Sequence, residues 1–394
     1  HVYVAANDGG LHNFRVSDGY EQWKFIPENV ISKLTTFWST SYCHRYYVDG
    51  TPKAADVKID VTQDGTPEWV TFLVGGQRSG GGAYVGLDVT DPTAISPRWQ
   101  YTHASLGEAW SEPRFGRVKI GGVDKWVVFV GSGPNNSDTK GYLFAINLED
   151  GSTLYSVKLS DTTSNQATSP QIIDVDADDY IDYVYVGDLA GKLWRIDVRD
   201  GSTTNWTKTL LFQADSNQAI MGSPALTIDN NNKVRVYFGT GKYLTAADKT
   251  TTYTQTFYGV IDPGNGTTVL KTNFANQTTT DNVMTGKDGW YFNLPSSGDR
   301  VTTEPDLLGG FAFFTSFVPD SSACGVGGSA KLFAVDYLDG TAPDSPVLDV
   351  DGDGDVDSAD KTSGVIPKYV SLGDGVPSKP VIDTKNQQII VQTS

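Results

Sequence analysis

The sequence predicts an all-β protein, a modified seven-bladed β-propeller with loop excursions, built as a single domain over residues 1–394. Three observations predict this fold. Apolar residues come in short runs and not in helical stripes, which favours strands separated by turns. A hairpin unit recurs along the chain, and Gly is abundant, at 42 of 394 residues. No amphipathic helix of ordinary length is predicted.

The recurring unit has the consensus Gly-x-Leu-x-Ala-Ile-Asp-x-x-x-Gly, followed by an aromatic strand. This pattern predicts a strand, a tight turn built on Asp and Gly, and a return strand. The six copies lie at residues 6–19, 82–92, 141–151, 188–201, 257–264 and 331–340. Further apolar runs lie between the copies, such as 125–131 and 233–239. Several short strands per repeat are typical of a β-propeller.

The ends of the chain are expected to complete the ring. Residues 379–383 and 388–392 form two further apolar runs, and we expect them to pair with the strand that begins at His1. Such pairing removes exposed sheet edges. Two segments do not fit a bare propeller, residues 26–50 and 341–369, and we expect both to be excursions from its rim, where loops carry function.

Charge and hydropathy exclude two classes of partner. The net charge of -17 argues against nucleic acid, because a protein that neutralises phosphates carries a basic patch. No apolar run reaches the roughly 20 residues of a membrane helix. The chain opens in a strand without a signal sequence, so we expect it to be a piece of a longer protein. The two cysteines, Cys43 and Cys324, form either a disulfide in an oxidising compartment or two unpaired thiols.

Residues 349–360 have the spacing of a twelve-residue calcium loop. The positions that supply ligands are filled by six aspartates, with Gly354 at the sixth position for the sharp turn. These are Asp349, Asp351, Asp353, Asp355 (through its carbonyl), Asp357 and Asp360. Hard oxygen ligands at this density favour Ca²⁺ over Mg²⁺, which needs a tighter octahedron. The alternative is a solvated acidic linker.

A shorter acidic run at residues 174–182 predicts a second calcium loop in a less ideal form. Its ligands are Asp174, Asp176, Asp178, the carbonyl of Tyr180, and Asp182. Asp179 takes the sixth position in place of Gly, and Asp tolerates a positive φ better than most residues. The alternative is an acidic turn between two strands. The chain is thus expected to bind one or two Ca²⁺ ions.

No catalytic constellation is visible, and the protein is predicted not to be an enzyme. None of the four histidines has metal-ligand spacing or lies beside a nucleophile motif, and His12 is expected to be a packed or surface residue and not a catalytic base. The hairpins resemble those of quinoprotein dehydrogenases, whose propellers hold pyrroloquinoline quinone and Ca²⁺. Those enzymes have adjacent cysteines over the cofactor, whereas Cys43 and Cys324 are remote in sequence. A quinoprotein-like dehydrogenase is therefore the least favoured reading.

Several longer motifs resemble the C-terminal domain of the PilY family, which comprises type IV pilus biogenesis factors and tip adhesins. The matching segments are residues 6–14, 25–27, 44–52, 87–92, 186–195 and 237–244, in the family's order. The resemblance implies a modified seven-bladed propeller with a calcium loop just before the Gly-Asp-Leu-x-Gly-x-Leu-Trp-Arg hairpin. That loop corresponds to Asp174, Asp176, Asp178 and Asp182, with Asp179 replacing the family's Gly. The loop at 349–360 is not part of the family pattern.

The resemblance also implies a function and a location. It implies a calcium-binding factor that regulates pilus extension and retraction and mediates surface attachment, with minor pilins and possible host ligands as partners. It implies export through the periplasm to the cell surface, the pilus tip or the outer membrane. The alternative is an adhesin whose propeller binds a host protein or glycan while its calcium is purely structural.

Overall fold

The computed structural model describes residues 1–320, 327–386 and 388–394. The chain divides into two compact units, His1–Val186 with Ile196–Lys208, and Gly187–Arg195 with Thr209–Ser394. Cys43 is exposed, whereas Cys324 lies outside the described residues, so the disulfide remains a prediction. No helix in the described part of the chain has the length and apolar character needed to cross a membrane.

The described residues form strands arranged in seven sheets, with few and short helices. In the first three sheets the strands are β1 Val2–Ala6, β2 Gly10–Phe14 and β3 Glu21–Phe25; β4 Lys53–Ile59, β5 Glu68–Gly76, β6 Tyr84–Asp88 and β7 Ser96–Tyr101; β8 Arg114–Ile120, β9 Val123–Gly131, β10 Tyr142–Asn147 and β11 Thr153–Lys158. The fourth sheet has β12 Gln171–Ile173, β13 Tyr183–Gly187, β14 Lys192–Asp197 and β15 Thr207–Gln213.

The remaining sheets follow the same up-and-down order with one insertion. The fifth has β16 Ala225–Ile228, β17 Val234–Gly239, β18 Thr256–Ile261, β20 Gly289–Asn293 and β19 Ala275–Asn276, the last pairing parallel to β20; the sixth has β21 Asp306–Leu308, β22 Phe311–Pro319, β23 Gly328–Asp336 and β24 Tyr369–Asp374; the seventh has β25 Val381–Asp383 and β26 Gln388–Ile390. The helices are α1 Glu28–Ile31 and the 3₁₀ segments Ser32–Trp38, Thr203–Asn205, Ala246–Thr250 and Lys271–Asn273.

Each of the six predicted copies lies in a strand that pairs with a later strand, and the four copies in the first four sheets are confirmed as hairpins. The six copies correspond to the pairs β2–β3, β6–β7, β10–β11, β14–β15, β18–β20 and β23–β24. The tight turn predicted for the copies at 257–264 and 331–340 is wrong, because residues 262–288 and 337–368 lie between the paired strands there.

The expected pairing of the two chain ends is not among the pairings of the described residues. There β25 pairs with β26 and β1 pairs with β2, so the last two strands form a sheet of their own.

Tryptophans join neighbouring sheets by lying against glycines. In the first unit Trp99 pairs across the strands with Gly86, and a Cβ atom on Gly86 would lie 2.3 Å from the indole ring. The same ring covers Gly151 in the β10–β11 turn, and its Nε1 donates to the carbonyl of Leu148 at 2.9 Å. Only a glycine on each side leaves room for the indole plane, so these two sheets pack through one aromatic residue.

The second unit repeats this arrangement. Trp290 is fully buried, pairs with Gly259, and lies over Gly340 in the turn after β23. Its Nε1 donates to the carbonyl of Tyr337 at 3.1 Å. Of the two positions expected for His12, packed or at the surface, the structure shows the packed one, with ring nitrogens 3.0 Å and 2.9 Å from carboxylates of Asp8 and Glu21.

Candidate metal centres

The first acidic loop connects β12 to β13 in the fourth sheet. Its two ends are held by main-chain hydrogen bonds, because the Asp182 amide donates to the Ile173 carbonyl and the Val198 amide donates to the Asp182 carbonyl, both at 2.9 Å. Asp182 is buried, while residues 176–179 are exposed. The loop therefore projects from a fixed base at the sheet, with one carboxylate buried under it.

Two carboxylates of this loop organise its backbone. Asp174 accepts the amides of Ala177 at 2.7 Å and Asp179 at 2.8 Å, and Asp182 accepts the amide of Val175 at 2.6 Å. These bonds bend the chain through two left-handed residues, Ala177 at φ 61° and Asp179 at φ 69°. Asp179 is the residue that the sequence placed at the usual glycine position. Its conformation agrees with that placement.

Three carboxylates converge inside the first loop. Asp174, Asp176 and Asp182 each place one oxygen within 4.8 Å of the others. Asp178 is not part of this group, and its carboxylate accepts the Tyr180 amide at 2.9 Å. An all-oxygen donor set of this kind fits a hard cation such as Ca²⁺.

The side chain of Tyr180 fixes the far end of the loop to the neighbouring sheet. Its hydroxyl donates to Asp124 at 2.7 Å. The guanidinium of Arg117 lies 4.3 Å from the ring centroid and the ammonium of Lys119 lies 4.7 Å from it. These contacts hold the residue whose carbonyl the sequence predicts as a ligand.

The convergence of the three carboxylates changes the pKa of one of them in the first loop. Burial raises the pKa of Asp182, and the nearby charges of Asp176 and Asp174 raise it further, against the lowering effect of the Val175 amide and Arg199. A carboxylate in this position is costly to ionise without a cation beside it. A bound divalent ion would supply the missing positive charge.

The second acidic loop lies between β23 and β24, within the predicted excursion. Asp349 accepts the amides of Gly352 at 2.7 Å and Gly354 at 3.0 Å, and both glycines have positive φ, 80° and 96°. Asp349, Asp351 and Asp353 each place one oxygen within 4.8 Å of the others. The negative charges of its neighbours and desolvation raise the pKa of Asp351, outweighing the hydrogen bond from the Asp353 amide, which lowers it.

The last aspartate of this loop closes it from within. Asp360 is buried, and its two oxygens accept the amides of Val350 at 2.5 Å and Asp357 at 2.8 Å. These hydrogen bonds lower the pKa of Asp360. Asp355 and Asp357 are exposed and lie outside the three-carboxylate group. The predicted ligands thus separate into three that converge, one that closes the loop, and two at its surface.

The two loops share one design despite their different lengths. Counting from the first aspartate of each loop as position 1, the carboxylate at position 1 accepts hydrogen bonds from the amides at positions 4 and 6, and the residues at both positions are left-handed. The last carboxylate of each loop accepts a hydrogen bond from the amide at position 2. The sequence pattern predicted which residues supply the carboxylates. It did not predict that some of these carboxylates accept hydrogen bonds from backbone amides. That role depends on where the amides point, which spacing alone does not reveal.

A third turn, which the sequence did not predict, shares only part of this design, because its first carboxylate accepts the amides at positions 5 and 6 and not those at 4 and 6. It lies between β4 and β5, where Asp60 accepts the amides of Asp64 at 3.2 Å and Gly65 at 2.8 Å. Gln63 and Gly65 are left-handed, at φ 59° and 87°. The run from Asp60 to Gly65 carries the signal, but Thr62 stands where the other loops have an aspartate. Within the described residues, no three-carboxylate group forms in this turn.

Comparison with known proteins gives consistent results. Residues 1–286 match the family model of the PilY1 beta-propeller domain. A type IV pilus biogenesis factor PilY1 homolog from Xylella fastidiosa is 32% identical over 365 residues, covering 86% of this chain and 29% of that protein. Type IV pilus biogenesis factor PilY1 from Pseudomonas aeruginosa is 29% identical over 429 residues, covering 91% of this chain and 36% of that protein. The chain therefore spans about a third of these relatives.

A solved structure supports the same assignment. The crystal structure of the Pseudomonas aeruginosa PilY1 C-terminal domain matches with a TM-score of 0.79 and 25% identity, covering 100% of this chain and 90% of that one. The family match covers most of the chain and includes the first acidic loop. The family model and the relatives agree, and the chain belongs to the PilY1 β-propeller family.

Proposed function

We propose that this chain is a calcium-binding β-propeller of a type IV pilus biogenesis factor, which regulates pilus extension and retraction and mediates surface attachment. The observation that carries the calcium part is the convergence of Asp174, Asp176 and Asp182 on a loop whose backbone is already folded around them. The pilus role is supported by the names of the relatives. The role is not catalytic.

The proposed mechanism starts from the charge of the loops. Without an ion, each loop holds three carboxylates close together at a cost in electrostatic repulsion. Ca²⁺ removes that repulsion and fixes the exposed part of the loop against its sheet. The ion biases the pilus machinery only so far as it binds one state of the factor more tightly than the other. The loop at 174–182 is the regulatory site in this proposal, and the loop at 349–360 is structural.

The remaining parts of the proposal concern architecture and location. We infer that the sheets form the seven blades of one modified, quinoprotein-like propeller over residues 1–394, with rim excursions at 26–50 and 341–369. The protein acts after export, at the cell surface, the pilus tip or the outer membrane. Its partners are pilus components such as minor pilins, together with a surface ligand. The family match and the relatives' names support this placement.

Calcium titration calorimetry tests the two sites separately. Asp176 and Asp351 belong to different three-carboxylate groups, and Asn keeps the shape of each side chain while removing its charge. The unaltered chain is expected to bind two Ca²⁺ ions, and Asp176→Asn and Asp351→Asn are each expected to lose one. Asp64→Asn, in the turn without a three-carboxylate group, is the control and should leave both ions bound. Unchanged stoichiometry in both site variants would refute the assignment.

Regulation is tested in cells that carry Asp176→Asn in the full-length factor. We expect altered twitching motility with normal export of the protein. If the variant loses its calcium while twitching and attachment stay unchanged, calcium is structural, and the alternative of an adhesin with structural calcium gains support.

A further inference from the structure

The second unit contains a polar groove that the metal sites do not use. One part of it is a cavity of about 490 Å³, whose wall includes Asn217, Lys242, Asp248, Tyr253 and Gln255. A second cavity of about 360 Å³ shares Asn217 and Tyr253 with the first. We call the two together the polar groove. Cavities of this size are typical of sites for small organic ligands.

The charged groups of the polar groove already have partners. Asp248 is buried, and its carboxylate accepts the amides of Leu244 at 3.0 Å and Thr245 at 2.8 Å, with the ammonium of Lys242 3.5 Å away. The ammonium of Lys271, in the second cavity, contacts the carboxylate of Asp215.

Arg300 contributes no free donor to the groove. Its guanidinium donates to the carbonyls of Gly298, Lys242, Asp248 and Thr251 and to the Thr251 hydroxyl, at 2.6 to 3.2 Å, which uses all five of its N–H groups. Because the charges are neutralised internally, the groove has no strong preference for an ionic ligand.

The neutral groups of the groove include hydrogen-bonding atoms that are not all used within the described part of the chain. Gln255 is 7% exposed, its Nε2 donates to the Asn217 carbonyl at 3.0 Å, and its Oε1 has no hydrogen-bond partner among the described residues. An acceptor buried in this way is costly unless a donor reaches it. Asn217 presents an exposed amide side chain from a left-handed residue at φ 64°.

Tyr253 lines both cavities and offers an aromatic face. It is 53% exposed, and no ring contact joins it to another aromatic residue in the described part of the chain. A tyrosine ring that lines two cavities is a platform for a ligand with an apolar face and polar edges.

We propose that the polar groove binds a neutral oligosaccharide. Sugar hydroxyls both donate and accept hydrogen bonds, which matches the exposed carboxamide of Asn217 and the buried, unpartnered oxygen of Gln255 next to it. The C–H face of a pyranose ring stacks on an aromatic ring, which matches Tyr253. Two cavities that share Tyr253 in their linings fit a chain of linked sugars better than a single one. The role of this sugar as a surface ligand rests on the attachment part of the proposed function. The binding of the sugar to the purified chain does not rest on it.

Binding is tested on an array of immobilised di- to tetrasaccharides of neutral hexoses and N-acetylhexosamines, with sialylated and sulfated sugars as further arms. The purified chain is applied with Ca²⁺ and with chelator. We expect at least one neutral oligosaccharide to bind, with little dependence on salt, and Asp176→Asn to bind equally well. Loss of calcium binding and loss of sugar binding are thus observed separately, so a failure of the calcium proposal can be told apart from a failure of the sugar proposal.

Two variants connect that binding to the groove. Tyr253→Ala removes the aromatic face, and Asn217→Gly removes the amide while favouring the same backbone conformation. Each is expected to weaken the best array ligand by about tenfold or more. Tyr20→Ala is the matched control, since Tyr20 is 62% exposed and lies in the other unit.

Thermal unfolding confirms beforehand that all three variants are folded. An array on which only charged sugars bind, or none, would overturn the proposal, as would unchanged affinity in both groove variants.

Discussion

At the scale of single residues, the acidic loops show that aspartates at regular spacing have two different tasks. Asp174 and Asp349 each accept hydrogen bonds from two amides and so hold the turn, while the carboxylate of Asp176 lies in the group that could bind an ion. The backbone around them is bent at two left-handed positions. Glycines occupy both positions in the second loop, but Ala177 and Asp179 occupy them in the first, so the first loop is folded at a higher cost.

Ala177→Gly should relieve part of this cost. Ala at φ 61° is disfavoured relative to Gly, so we expect the calcium-free chain to be stabilised by about 1 kcal/mol and Ca²⁺ affinity at this loop to rise. Urea unfolding with chelator present measures the first effect. Ala94→Gly, at an exposed alanine outside the left-handed region, should instead be neutral or slightly destabilising. The same response from both variants would contradict the strain argument.

Asp248 illustrates a carboxylate whose role is purely structural. Although burial alone would raise the pKa of Asp248, hydrogen bonds from Leu244 and Thr245 outweigh it and the pKa is lowered. A lowered pKa adds stability that is present above the unfolded-state pKa near 3.8 and is lost as pH falls through the folded-state value. We expect Asp248→Asn to cost about 1–3 kcal/mol at pH 7, and the deficit to shrink in acid.

Urea unfolding of the Asp248→Asn variant at neutral and acidic pH measures this difference. The exposed Asp64→Asn variant should show a much smaller effect at both pH values. A deficit that does not change with pH would contradict the assigned role of the charge.

At the scale of strands and turns, the same two devices recur in different sheets. One is the acidic turn between the first and second strands of a sheet, seen in the second and fourth sheets. The other is a tryptophan lying between a strand glycine and a turn glycine, seen with Trp99 and Trp290. Each device uses residue types that are visible in the sequence, because each depends on local chemistry.

The second device predicts a sharp sensitivity at Gly86. A methyl group there would lie 2.3 Å from the Trp99 ring, so Gly86→Ala forces the indole out of its position. We expect a loss of about 1–3 kcal/mol in the free energy of unfolding, measured with urea. Gly201→Ala is the control, since an added Cβ there meets no atom closer than 4.0 Å. Equal stabilities for both variants would show that the indole moves aside freely.

The sequence predicted these elements unevenly, for physical reasons. The hairpins of the first four sheets and the carboxylate spacing were predictable, because turn residues and alternation act within a few residues of each other. The parallel strand β19 and the pairing of β25 with β26 were not, since pairing partners depend on tertiary context. The polar groove was also missed, because Asn217, Tyr253 and Gln255 meet only after folding and share no sequence pattern.

At the scale of the whole molecule, two compact units each contain one acidic loop. Residues 174–182 belong to the first unit and residues 349–360 to the second. The net charge of -17 favours cation binding in general, and among the residues that the structure describes the converged carboxylates are the groups that could hold an ion in place. Ligand binding stabilises the part of the protein that contains the site.

Scanning calorimetry should therefore distinguish the units. Saturating Ca²⁺ should stabilise each unit by about 2.7 kcal/mol at a hundredfold excess over the dissociation constant. Asp176→Asn is expected to remove the calcium-dependent shift from one transition and Asp351→Asn from the other. A single transition that both variants shift equally would mean that the units unfold together.

The turn at residues 60–68 gives the loop design an evolutionary meaning. Its backbone already has the two left-handed bends of the acidic loops and a first carboxylate that accepts two amides of the turn, although it has no group of converged carboxylates. Because the fold of such a turn is encoded separately from its ion, a lineage can gain or lose a cation by exchanging one or two side chains, without rebuilding the scaffold. Dependence on calcium is then set by a few side chains while the architecture stays the same.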